Sequence, residues 1–80
     1  MFGTNRRASN HAFRHIDALG LRRTIVMQAI VDDLLPRLPL AVPRSKIPHM
    51  GLVAVGAVRL RYHAFPLENG LVNVGRITPA

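Results

Sequence analysis

The chain has 80 residues, of which 49% are hydrophobic, with no cysteine, no tryptophan, three phenylalanines and one tyrosine. That length allows a single small domain, and the missing cysteine excludes both disulfides and thiolate zinc sites. Eleven Lys and Arg against four Asp and Glu give a net charge of +7, a field that attracts phosphate or an acidic protein surface.

Residues 1–9 read as a basic arm carrying Arg6 and Arg7, not as a leader that is removed. Ser9 or Asn10 is placed to N-cap a short helix over His11–Leu19. Gly20 then suits the left-handed residue that closes a helix. A second helix is expected from about Leu21 or Thr24 to Leu35, because Pro36 disfavours helical geometry in the residue before it. On that helix Met27, Ile30, Val31, Leu34 and Leu35 share one broad apolar stripe. Ile25, Val26 and Ala29 make the opposite side apolar as well. So short a chain offers little material to cover such a helix, so the stripe is expected to pack against other chains.

Residues 36–50 hold four prolines and three cations, the composition of an extended, polyproline-like connector. Within it, Pro36-Arg37-Leu38-Pro39 has the spacing of a polyproline ligand core. Position 41, where a flanking cation would stand, is alanine, so a stiff spacer is the simpler reading.

Residues 51–77 read as a β-hairpin. Leu52, Ala54, Gly56, Val58, Leu60 and Tyr62 alternate onto one apolar face, while Arg59, Arg61 and His63 fall on the other. Asn69-Gly70 is a two-residue turn signal. It sets Leu67 opposite Val72, Phe65 opposite Val74 and His63 opposite Arg76, and gathers Arg59, Arg61, His63 and Arg76 on one side. Pro66 is then expected to face outward on an edge. The expected fold class is α+β: two N-terminal helices within 10–35, the extended connector, and the C-terminal hairpin.

No arrangement for catalysis emerges. Asp32 and Asp33 are adjacent, so on a helix they diverge by about 100° and cannot form a carboxylate dyad. Asp33 and Arg37 are instead spaced for an ion pair. There is no nucleophile elbow and no glycine-rich phosphate loop. His11 and His15 have the spacing of a helical ligand pair, but Ala12 occupies the general-base position of a zinc protease. A third ligand would have to come from distant His49 or His63. Neither metal, cofactor nor enzymatic activity is expected. No stretch reaches the roughly 20 apolar residues of a membrane span, and no secretion signal is recognisable, so an intracellular or virion-like assembly is the expected setting.

These features together suggest a small, basic, non-enzymatic assembly subunit. Met27, Ile30, Val31, Leu34 and Leu35 would pack against other protein chains. Arg6, Arg7, Arg22, Arg23, Arg59, Arg61 and Arg76 would meet nucleic-acid phosphates or an acidic partner. The alternative is a DNA-binding regulator, since Ile16–Ala29 resembles a helix-turn-helix. Gly20 would sit in the turn, Val26 would be buried, Arg22, Arg23, Thr24 and Gln28 would read bases, and the hairpin would serve as a basic wing. Ile16 is large for the helix crossing of that motif, and Met27 belongs to the apolar stripe.

Overall fold

The structure is a computed structural model that describes residues 6–38, 48–67 and 72–80. Strand β1 (Arg6–Ala8) leads through a 3-10 turn (Asn10–Phe13) into helix α1 (Arg14–Ala18) and helix α2 (Arg23–Leu34). A second 3-10 turn (Leu35–Arg37) follows, then strands β2 (His49–Val55), β3 (Val58–Pro66) and β4 (Val72–Pro79). The strands form one sheet in the order β1-β4-β3-β2, with β1 parallel to β4 and the other pairs antiparallel. The fold is α+β.

Local chemistry accounts for the helical layer. Ser9 caps the first 3-10 turn, its hydroxyl accepting from the Ala12 amide at 3.3 Å. Gly20, at φ +70°, ends α1. The Leu21 amide donates to the Ile16 carbonyl at 3.0 Å and the Gly20 amide to that of Asp17 at 3.1 Å. This doubled closure needs a residue that tolerates positive φ. Helix α2 stops at Leu34, and Pro36 is taken into the 3-10 turn behind it.

The sheet departs from the expected single hairpin in three places. First, the arm is part of the sheet: Arg6, Arg7 and Ala8 pair with Val72, Asn73 and Val74. Second, the apolar run is two strands, because Gly56 and Ala57 form a two-residue turn between Val55 and Val58. Gly56 has φ +61°, the conformation that the first residue of a II′ hairpin turn demands. Third, β4 carries a bulge. His63 lies opposite Arg76 as expected, but Ala64 pairs with Val74 and Phe65 with Asn73, leaving Gly75 as the extra residue. Toward the turn the register is shifted by one from that expected, with Pro66 and not Leu67 opposite Val72, and Pro66, in step with Leu60, Tyr62 and Ala64 along β3, faces inward and is buried, not outward. The Asn69-Gly70 turn, residues 1–5 and residues 39–47 of the expected connector lie outside the described residues. The connector's ends do not match the expectation either: Pro36 and Arg37 belong to a 3-10 turn, and His49 and Met50 begin β2.

The core lies between the helices and one face of the sheet. Phe13, Ile16, Val26, Met27, Ile30 and Leu34 pack against Leu60, Tyr62, Ala64, Val72, Val74 and Ile77. No described polar or charged residue other than Tyr62 is buried with them. This corrects the expected role of the stripe. Met27, Ile30, Val31 and Leu34 are buried within this chain, and Leu35 alone of the five stays at the surface, 36% exposed. Four strands offer far more apolar surface than the two expected, so the helix finds its cover at home. Leu52 also changes sides: it stands on the outer face, while Val53 and Val55 pack against the core.

Candidate nucleic-acid interface

Strand alternation sends Leu60, Tyr62, Ala64 and Pro66 of β3 toward the helices, so Arg59, Arg61, His63 and Phe65 project from the opposite face. Pairing then sets their neighbours. Ala54 lies beside Arg59, Leu52 and Thr78 flank Arg61, Met50 and Arg76 flank His63, and Asn73 lies beside Phe65. The outer face therefore has a cationic middle, Arg59, Arg61 and Arg76, with the His63 imidazole among them, and an apolar margin on β2. Met50 and Leu52 are 63% and 52% exposed. Phe65 lies against Gly75, where a Cβ would approach its ring to 3.1 Å. The bulge glycine thus makes room for the aromatic ring on this face.

Charge is segregated between the layers. The described acidic residues, Asp17, Asp32 and Asp33, are all on α1 and α2. The ion pairs among the described residues are Arg23–Asp17 and Arg37–Asp33. Arg59, Arg61 and Arg76 have no carboxylate partner among the described residues. Among the described residues, opposite-sign charge thus stays in the helical layer, and the outer face carries positive charge.

The helical arginines and Gln28 are differently engaged. Arg23 grips Asp17 through two of its nitrogens, with Nε at 2.9 Å from Oδ1, donates to Asn10 at 3.3 Å, and stacks on Phe13 at 4.6 Å. The hydrogen bond from Arg23 holds the Asp17 carboxyl below the usual aspartate range. Gln28 donates to Asp32 at 2.6 Å. Arg22 and Thr24 are exposed. Two of the four residues expected to read bases in the helix-turn-helix alternative are therefore engaged within the chain. Arg6 and Arg7 occupy β1, and their side chains lie outside the described residues.

Asp33 has a second role that its spacing to Arg37 only half revealed. Tyr62, its ring buried, donates its hydroxyl to Asp33 Oδ2 at 2.6 Å and accepts from Arg37 at 2.9 Å. Arg37 also donates to Asp33 Oδ2 at 3.0 Å and to the Asp33 carbonyl at 3.1 Å. Burial, reinforced by the Asp33 carboxylate, pushes the Tyr62 phenol up to about 12. The phenol reaches this position by crossing Gly51, its partner on β2, where a Cβ would overlap the ring. An open depression of about 470 Å³ lies beside this network, lined by Asp33, Arg37, Met50, Gly51, Leu52 and Arg61.

At the other side of the sheet, His11, Arg14 and His15 face Arg76, Ile77 and Thr78 across a smaller cleft of about 220 Å³. No group of three His, Asp or Glu able to hold a metal ion converges among the described residues. No helix among them is long and apolar enough to cross a membrane. No family model matches the chain, and no curated protein or solved structure matches it.

Proposed function

We propose that this chain is a small non-enzymatic subunit of a nucleic-acid-containing assembly, and that it lays the outer face of its sheet on the phosphate backbone. One observation carries the reading. The register aligns Arg59, Arg61, His63 and Arg76 on a single face, while the described acids sit on the helical layer. Such a surface attracts phosphates without reading sequence. Phe65 supplies an aromatic surface on the same face, on which a base can rest. Met50 and Leu52 form the margin that a protein neighbour in the assembly covers. The regulator alternative has less support, because Arg23 and Gln28 are engaged within the chain.

The test is fluorescence anisotropy with a mixed-sequence single-stranded oligonucleotide across a salt series. The expected result is affinity that falls steeply with salt and varies little between sequences. Replacing both Arg59 and Arg61 by Ala should lower the salt slope by about 1.4, roughly 0.7 for each phosphate contact removed from a single strand. Binding by the double variant equal to that of the parent, at every salt concentration, rules the face out.

A further inference from the structure

We infer that the cleft between the first helical turns and β4 is a binding site for a single phosphoryl group, distinct from the sheet face and sharing Arg76 and Thr78 with its margin. The topology explains the cleft. β1 ends at Ala8, opposite Val74, whereas β4 runs on to Pro79. At Ser9 the chain leaves the sheet, and the 3-10 turn and α1 pass beside the uncovered part of β4. Three side chains on the helical wall, His11, Arg14 and His15, thereby come to face Arg76, Ile77 and Thr78 on the strand.

The lining has the chemistry of an anion site. Arg14 and Arg76 are two permanent cations, one from each wall. Two imidazoles and the Thr78 hydroxyl add hydrogen-bond donors. Among the described residues, no carboxylate lines the cleft. The acid nearest in sequence, Asp17, is held by Arg23. His11 and His15, whose spacing suggested a metal pair, are thus surrounded by positive charge, which repels a divalent cation and favours an anion. Guanidinium groups present paired donors that match the oxygens of phosphate.

Size selects the ligand. At about 220 Å³ the cleft falls below the roughly 300–1,000 Å³ of sites that engulf a drug-sized molecule. It takes a phosphoryl head and leaves the remainder of a ligand outside. Free phosphate and the terminal phosphate of a nucleic-acid strand share that chemistry.

The experiment is a titration of the protein with inorganic phosphate at constant ionic strength, read by the imidazole and Arg76 amide NMR signals. Saturable shifts of His11, His15 and Arg76 are expected. Replacing both Arg14 and His15 by Ala should weaken phosphate binding at least about tenfold, the scale of losing a hydrogen bond to a charged group. Arg76→Leu, which alters the opposite wall, should produce the same loss. Replacing both Arg59 and Arg61 by Ala should leave phosphate binding unchanged, so failure here and failure of the sheet-face reading are distinguishable. A second arm compares a 5′-phosphorylated oligonucleotide with its 5′-hydroxyl twin. A preference that disappears in the Arg14/His15 variant identifies a strand end as the ligand, and equal binding alongside saturable inorganic phosphate identifies the free ion. Linear, non-saturating shifts, or an Arg14/His15 variant that is folded by its NMR dispersion and binds phosphate like the parent, would overturn the inference.

Discussion

The two faces of the sheet are built from the same strands and share almost no chemistry. Toward the helices, Leu60, Tyr62, Ala64, Val72, Val74 and Ile77 are buried. Toward the outside, Arg59, Arg61, His63, Arg76 and Thr78 alternate with them along the chain. Burying a charge without a partner costs far more than an apolar contact returns, so the alternation commits each residue to one side. The comparison teaches that the apolar contacts of the fold are confined to one face of the sheet. If the proposed binding uses the other face, stability and recognition should be separable by mutation.

The strongest way to break that separation is to remove inner apolar volume. Leu34→Ala or Ile30→Ala should destabilise the chain by about 2–5 kcal/mol, the usual cost of such a truncation. Both residues are fully buried against the sheet. In so small a chain that is a large share of the total stability, and urea or thermal denaturation will show it. Survival of either variant with an unchanged midpoint would mean that α2 is not held by this sheet.

A smaller effect is expected where the two sides touch. Gly51→Val would drive a side chain into the Tyr62 ring, which crosses the strand at that point. Overpacking of this kind costs about 1–3 kcal/mol. Combining it with Tyr62→Leu should recover part of the loss, because the clash partner is gone. Tyr62→Phe alone removes only the hydroxyl that joins Asp33 and Arg37 and should cost about 1–2 kcal/mol. It should also change the alkaline limb of the stability curve. The phenol is raised from 10.0 to about 12 in the folded chain, so folding holds its proton more tightly than the unfolded state does. That contribution is complete below pH 10, declines as pH rises toward 12, and is gone above it. The Phe variant should lack this decline, which denaturation midpoints measured across that range will detect.

Much of this division is legible in the sequence. The period of α2, the Gly20 closure, and the grouping of Arg59, Arg61 and His63 follow from spacing alone, whereas His63 comes opposite Arg76 because the bulge at Gly75 offsets a one-residue difference in register nearer the turn. What is not legible depends on contacts distant in sequence or on glycine chemistry. Arg6–Ala8 carries no strand pattern, and its partner, Val72–Val74, lies at the far end of the chain. Gly56-Ala57 interrupts an apolar run with no polar turn residue, so Gly56 itself is the one local signal. Gly75 within a strand is likewise a bulge signal, and the inward position of Pro66 follows from the alternation of β3, in step with Leu60, Tyr62 and Ala64. These extra strands also settle the place of α2: a helix that is apolar nearly all round needs another chain to cover it only where its own sheet is too small, and here Met27, Ile30, Val31 and Leu34 are buried within this chain. The cleft of His11, Arg14, His15 and Arg76 is hidden for the same reason, since only the β1–β4 pairing brings its walls together.

The smallest expected change in stability belongs to the outer face, and it sharpens the comparison most. Arg59→Ala and Arg61→Ala remove exposed side chains that make no ion pair among the described residues. Each should alter stability by no more than about 0.5 kcal/mol, the ordinary range for such surface positions. Each should also reduce mutual repulsion in a chain of net charge +7, so the sign of the change should be toward slight stabilisation at low salt, fading as salt screens the field. If these arginines serve binding, the same substitutions that leave the denaturation midpoint unchanged, or raise it slightly, will weaken oligonucleotide affinity and flatten its salt dependence. A parallel fall in stability and affinity would instead mean that the arginines support the fold, and the two faces would not be separable.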